Sequence, residues 1–277
     1  MKFYKMHGIG NDYIYFDCMK GEVENTEQLA IRLSDRHFGI GGDGIILLCA
    51  SDKADCKMRM FNADGSEGKM CGNGIRCVGK LAHDLGHVRG DTCTVETLSG
   101  IKKLKFFLDK DGKVESVKVN MGEAILNGKD IPSAIEGETV VNYPLEVDGK
   151  NYGVTLVSMG NPHCVVFKDP DGLNIEEIGK RFENHPVFPD RVNTEFVKVI
   201  NRNHLKMRVW ERGSGETFAC GTGACATAVA AVLNGYCSKN EEITVSLLGG
   251  DLKIVYTDET VYMTGPATLV FTGEIEI

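Results

Sequence analysis

Short runs of β-branched and apolar residues dominate the chain, alternating with polar residues and stopping at Gly, Asp or Asn. This is the period-two pattern of half-buried strands. It predicts strands over 3–4, 13–17, 44–49, 56–61, 92–97, 103–108 and 113–120. A second series follows over 139–147, 152–158, 164–167, 194–199, 205–210, 243–247, 252–256, 261–263 and 267–275. Helical periodicity is scarce. Leu29 and Leu33 share a face of a segment, 27–34, for which Thr26 is the expected N-cap, and Asn174 precedes a second segment, 175–182. Two further helices are expected over 72–85 and 221–233, each directly after a Cys in the pattern Cys-Gly-x-Gly. The balance predicts an α/β (α+β) fold, with a few helices against curled sheets. The stretch 124–137 is the least patterned and is the expected boundary between domains.

The chain also repeats itself. Displaced by 149 positions, MRMFNADGSEGKMCGNG (58–74) falls without gaps on MRVWERGSGETFACGTG (207–223). Both read as strand, Gly-rich loop, Cys-Gly-x-Gly and helix. This predicts a duplicated pair of pseudo-symmetric domains whose equivalent loops face one another.

Composition narrows the function. A chain of 277 residues with 42% hydrophobic content can bury a large core. The net charge of −8, without a Lys/Arg block, argues against a nucleic-acid partner. With no signal-peptide pattern at the N-terminus and no long apolar run, neither export nor a membrane span is expected, and the expected location is cytoplasmic. Ten cysteines in such a chain point to reduced thiols. None forms a Cys-x-x-Cys pair, and no His cluster has zinc-ligand spacing, so no metal is expected.

The repeat singles out Cys71 and Cys220. Each precedes a helix N-terminus, whose N–H groups bind anions and should lower a thiol pKa towards neutrality. One thiolate could remove a proton from a carbon while the opposite thiol returns one to the other face, inverting the centre with no cofactor. N–H donors at the helix starts would stabilise charge on an adjacent carboxylate. Cys77 and Cys225, inside the helices, read as core. Asn62 and Glu211 both lie nine residues before their Cys, yet one is neutral and one acidic, which suits a substrate with unlike polar ends. Arg212 could grip a carboxylate, or pair with Glu211 at the surface.

Six blocks carry a resemblance: KMHGIGNDY (5–13), DRHFGIGGDG (35–44), FNADGS…CGNGIRC (61–77), GNPHCV (160–165), RVNTEF (191–196) and ERGSGET…ACGTGACA (211–226). Together they resemble the diaminopimelate epimerase family. The resemblance implies interconversion of LL- and meso-2,6-diaminopimelate in lysine and peptidoglycan precursor biosynthesis, without pyridoxal phosphate or any other cofactor, by a protein that is commonly a homodimer. It implies two domains, 1–122 with 266–277 and 123–265, each a curled, mostly antiparallel sheet around a central helix. By position, Cys71 and Cys220 match the catalytic pair, and Gly72, Asn73, Gly221 and Thr222 match the helix starts that hold the reacting carboxylate. Glu211 matches the acceptor of the reacting ammonium. Asn62, Asn161, Asn193 and Arg212 match the grip on the distal end, Asn11 matches a further pocket residue, and His163 a supporting one. Without the resemblance most of these asparagines read as turn residues. Gly44 stands where some members have a substrate-touching Gln, and Tyr13 replaces the more usual Phe. The rival readings are a proline, hydroxyproline or histidine racemase of the same superfamily and a non-catalytic amino-acid or metal-binding protein.

Overall fold

The computed structural model describes residues 1–21 and 23–276. Ile277, the end of the expected 266–277 segment, lies outside the described residues. The chain divides into two compact units, one of Met1–Asn120 with Thr264–Ile277 and one of Met121–Met263.

The first unit runs β1 (Lys2–Gly8), β2 (Asn11–Cys18), α1 (Thr26–Ser34), β3 (Gly44–Cys49), β4 (Cys56–Asn62), β5 (Glu67–Gly68), α2 (Gly72–Asp84), β6 (Thr92–Thr97), β7 (Gly100–Leu108) and β8 (Val114–Gly122). The second holds β9 (Tyr143–Val147), β10 (Lys150–Ser158), β11 (Pro162–Val166), α3 (Ile175–Glu183), β12 (Asn193–Asn201), β13 (His204–Glu211), β14 (Gly215–Glu216), α4 (Gly221–Leu233), β15 (Glu242–Leu247) and β16 (Gly250–Tyr256). Next, β17 (Val261–Pro266) carries the chain back into the first unit, where β18 (Thr268–Glu274) pairs antiparallel with β1.

Each unit has the same topology. In the first, β1–β2, β3–β4, β6–β7 and β7–β8 are antiparallel, while β2–β3 and β4–β6 are parallel. In the second, β9–β10, β10–β11, β12–β13 and β15–β16 are antiparallel, while β11–β12 and β13–β15 are parallel. Helices α1 and α3, and likewise α2 and α4, begin 149 residues apart, so the repeat seen around the two cysteines extends through both units.

The sheet of each unit curls around one helix. Helix α2 packs on β1, β2, β3, β4, β6 and β7, and α4 on β10, β11, β12, β13, β15 and β16. Helix α4, GTGACATAVAAVL, is apolar all round and has ten buried residues, so packing rather than an amphipathic stripe holds it. Its Gly and Ala residues let the strands approach closely. On the outer face, Leu29, Ala30 and Leu33 of α1 join Phe16, Leu47 and Phe61 in one apolar cluster, while Ile175 and Phe182 of α3 join Phe196 and Trp210 in another. Burial of each large side chain contributes roughly 1.5–3 kcal/mol. Gly179 cannot carry a side chain, because a Cβ there would lie 2.3 Å from the Trp210 ring.

Three expectations change. Thr26 is not the cap of α1: the cap is Asn25, in the left-handed region, and the Thr26 hydroxyl turns back to the Val23 carbonyl at 2.9 Å. The stretch 124–137 lies inside the second unit, which begins at Met121, rather than at the boundary: Ile131 and Ile135 enter that unit's core and Ile125 exchanges backbone bonds with Ser158. The two-residue strands β5 and β14 were not expected at all. Each folds back antiparallel on the strand before it, β4 or β13, and so brings the chain round to the Cys that follows.

Candidate active site

In both units a cysteine is the N-cap of the central helix. Cys71 has extended backbone (φ −129°, ψ 122°), and its sulfur accepts the Gly74 N–H at 3.3 Å. Cys220 (φ −117°, ψ 107°) accepts the Gly223 N–H, also at 3.3 Å. Cysteine thus takes the role usually filled by Ser, Thr, Asp or Asn. Gly72 and Asn73, like Gly221 and Thr222, occupy the first two helical positions, where the helix itself offers no acceptor for an N–H. The second glycine of each motif sits where a side chain would crowd its neighbours. A Cβ on Gly74 would meet Ile46 Cδ1 at 2.6 Å, and one on Gly223 would meet Glu195 Oε1 at 2.7 Å.

The surroundings of the two sulfurs differ. In the first unit, Asn11 Oδ1 lies 3.3 Å from the Cys71 sulfur, placed to accept its S–H. Asn62 ends β4 and donates to Ser66 Oγ at 3.0 Å across the turn into β5. Position 44 leaves no room for a side chain, because a Cβ there would lie 2.1 Å from the Phe61 carbonyl oxygen. Cys77 is fully buried, its thiol pushed up to about 11 by burial, as suits a core residue.

In the second unit a polar network surrounds Cys220. The Thr222 hydroxyl lies 3.6 Å from its sulfur and accepts from Asn161 Nδ2 at 3.3 Å. Asn161 Oδ1 faces His163 Nε2 at 3.2 Å, and His163 Nδ1 faces Glu195 Oε1 at 2.7 Å. Glu211 accepts a short hydrogen bond from Thr217, and burial raises its carboxyl above the ordinary range, although hydrogen bonds from Thr217 and Cys220 pull the other way.

The lowered thiol expected from the helix N-terminus is not what Cys220 has. Burial first, then the charges of Glu211 and Glu195, hold its pKa well above that of an ordinary thiol. The Thr222 hydroxyl and the Gly223 N–H act in the expected direction but are outweighed.

The structure therefore gathers Asn161, His163, Glu211 and Thr222 around Cys220, and Asn11 beside Cys71. Asn193 and Arg212 form a separate pair. Asn193 Nδ2 donates to the Pro162 carbonyl at 2.8 Å and Oδ1 accepts the Arg212 N–H at 2.9 Å, while the Arg212 guanidinium reaches the Asp190 carbonyl at 2.9 Å. Arg212 thus has no hydrogen bond to Glu211 among those of the described residues. Glu195 and Thr217 escaped sequence reasoning. An acid two places after Asn193, inside the expected strand 194–199, was the available sign for Glu195. Among the described residues no three His, Cys, Asp or Glu side chains are grouped to hold a metal ion, and none of the ten cysteines forms a disulfide.

Residues 3–127 and 155–270 match the family model described as diaminopimelate epimerase. A diaminopimelate epimerase of Acetivibrio thermocellus is 55% identical, aligned over 100% of this chain and 99% of its own, and one of Methanococcus maripaludis is 52% identical over 100% of both. Among solved structures, a probable proline racemase from Agrobacterium radiobacter matches with a TM-score of 0.73 at 14% identity, covering 100% of this chain and 93% of that one. A Bacillus anthracis phenazine biosynthesis protein of the PhzF family matches with a TM-score of 0.71 at 17% identity, covering 100% and 99%. These two likenesses concern the fold alone.

Proposed function

This chain belongs to the diaminopimelate epimerase family, and on that premise we propose that it interconverts LL- and meso-2,6-diaminopimelate with Cys71 and Cys220 as its acid–base pair. The observation that carries the reading is the duplicated cap, a thiol at the start of the central helix in each unit. One sulfur, as thiolate, takes the α-proton and becomes a thiol. The other, as thiol, gives a proton to the opposite face and becomes the thiolate. One negative charge on sulfur exists before and after, so the proton transfers balance within the pair.

The N–H groups of Gly72 and Asn73 and of Gly221 and Thr222 stabilise the charge that develops on the reacting carboxylate. Glu211 receives the reacting α-ammonium. Its raised pKa has a use here, because a cation beside it cancels one of the two charges that keep Cys220 protonated. Substrate binding thereby makes the Cys220 thiolate more accessible. Asn161 and Thr222, held in one network, orient the sulfur, and His163 anchors Asn161. Asn62, Asn161, Asn193 and Arg212 recognise the distal amino-acid end, with Asn193 acting through the backbone it braces, and Asn11 is a further pocket residue beside Cys71.

The proposed place of action is the cytoplasm. The enzyme works as a homodimer, for which the exposed Leu269, Val270 and Phe271 of β18 offer an apolar contact.

The test is incubation in deuterated water with LL-diaminopimelate, proline or histidine. Deuterium should enter one α-carbon of diaminopimelate alone, and uptake into proline or histidine instead would overturn the substrate. Cys71→Ala and Cys220→Ala should each lose on the order of 10²–10⁴-fold in turnover, the usual worth of a positioned acid or base. Appreciable epimerisation by either variant would refute the pair.

A further inference from the structure

Behind Cys71 lies a chain of hydrogen bonds that the reaction as described leaves unused. Asn11 presents its amide oxygen to the Cys71 sulfur at 3.3 Å and its Nδ2 to Asp43 Oδ2 at 2.7 Å. A carboxylate can only accept, so Asp43 dictates which end of the Asn11 amide faces it and hence which end faces the sulfur. Asp43 is itself held. Its Oδ2 also accepts the Asp12 N–H at 3.0 Å, its Oδ1 accepts from Arg36 at 2.9 Å, and its backbone N–H bonds the Asp12 carbonyl at 2.7 Å. Arg36 in turn bridges to Asp12, which a buried Lys5 ties to the Gly41 carbonyl. The loop before β3 is thereby clamped to the start of β2.

We propose that Asp43 is a positioning residue for Cys71, acting through Asn11 to keep a hydrogen-bond acceptor against the sulfur. An acceptor stabilises S–H and opposes S⁻, whereas the Gly74 N–H on the helix side stabilises S⁻. Cys71 is poised between the two, and the loop sets the balance. Tyr15 and Cys77 also lie within electrostatic reach of Cys71. The inference rests on reading Cys71 as an acid–base group.

Replacing Asp43 by Ala tests it, because nothing then fixes the Asn11 amide, which can turn its NH₂ to the sulfur. Asp43→Asn is the contrast: its amide oxygen keeps the Asp12 N–H and the Asn11 Nδ2 while its NH₂ turns to the side of the exposed Arg36, so Asn11 keeps its orientation. Iodoacetamide labelling across a pH series, resolved by peptide mass spectrometry, reads Cys71 with Cys220 as internal reference. For Asp43→Ala, the Cys71 profile should move to lower pH, with labelling at neutral pH about tenfold faster, while the Cys220 profile stays in place. Asp43→Asn should leave both profiles in place. Asn11→Ala should shift Cys71 in the same direction as Asp43→Ala, which keeps the test should that variant fail to fold, and adding Asp43→Ala to it should change nothing more. An unmoved Cys71 profile in Asp43→Ala, an equal shift in Asp43→Asn, equal shifts at both cysteines, or additive shifts in the double variant would each overturn the proposal. Labelling needs no turnover, so this outcome is independent of whether Cys71→Ala still epimerises.

Discussion

Glu195 Oε1 lies 2.7 Å from Nδ1 of His163, and both side chains are fully buried. The equivalent positions in the first unit, 149 residues earlier, are Ile46 and Ile14, equally buried and apolar. One sulfur is therefore supported by an aliphatic floor and the other by an acid–imidazole pair. Removing Glu195 leaves the His163 Nδ1 without its hydrogen-bond partner, and an unpartnered buried polar group costs about 1–3 kcal/mol. Glu195→Ala should lose stability in that range by urea unfolding. Glu195→Gln, which keeps an acceptor for His163, should lose less, and it should also make Cys220 more reactive because one of the charges that hold its pKa up is gone.

Glu211 should set the acid limb of the reaction. Its pKa is raised, so the carboxylate that receives the ammonium is lost at a pH above the ordinary glutamate value. The kcat/KM profile should fall on acidification through that raised value, and Glu211→Gln should abolish both the limb and most of the activity. Linkage gives the opposite sign for stability. A carboxyl whose pKa is higher folded than unfolded stabilises fully below its unfolded value, and that contribution is lost as pH rises through the folded one. Glu211→Gln should therefore melt higher than the parent at neutral pH, with the difference vanishing in acid. A parental melting temperature at pH 7 would show that burial does not raise Glu211.

Free Cys220 should be slow to alkylate. Its pKa lies well above that of an ordinary thiol, so little thiolate is present at neutral pH and labelling should climb steeply in alkali. A substrate analogue that retains the α-ammonium, lacks a reactive proton and is small enough to leave the sulfur accessible should, at saturation, move the Cys220 profile to lower pH by neutralising Glu211, whereas one without the ammonium should not.

How much of this was legible in the sequence follows from what each feature depends on. The helices after Cys71 and Cys220 were readable because Cys-Gly-x-Gly is local, and the 149-residue repeat named the two thiols among ten. The strand from Gly44 to Cys49 was readable as an apolar run, and that from Thr92 to Thr97 as a polar–apolar alternation rich in β-branched residues. By contrast, β5 and β14, two residues each, carry no period. The Thr26 cap failed because a hydroxyl can turn back to a carbonyl as readily as forward to an N–H. The thiol pKa failed for a larger reason. The helix terminus is a sequence-local cause, while the burial and the Glu195 charge that outweigh it arise from tertiary structure.

The caps separate fold from chemistry. Each sulfur accepts an N–H at the helix start, a role a serine hydroxyl fills at least as well. Cys71→Ser and Cys220→Ser should keep parental stability and lose epimerisation, because an alkoxide is out of reach where a thiolate is not. The alanine variants should lose about 1 kcal/mol in addition. Serine variants as unstable as the alanine ones would mean that these caps contribute nothing.

The second glycines should respond unequally, although the two motifs look alike in sequence. Alanine at 74 would press on Ile46 Cδ1, the far end of a flexible aliphatic chain that can rotate away. Alanine at 223 would press at 2.7 Å on Glu195 Oε1, the atom held by His163, and at 3.1 Å on the Cys220 sulfur. The first side chain can yield with a change of rotamer, costing about 0.5–1.5 kcal/mol. The second can yield only by breaking a buried hydrogen bond to a charged group, worth about 1.5–3 kcal/mol, or by moving the sulfur. Gly223→Ala should accordingly be the less stable variant by urea unfolding and should lose turnover through a displaced Cys220, while Gly74→Ala keeps more of both. Equal losses in the two variants would show that the Glu195–His163 pair yields as freely as an isoleucine methyl.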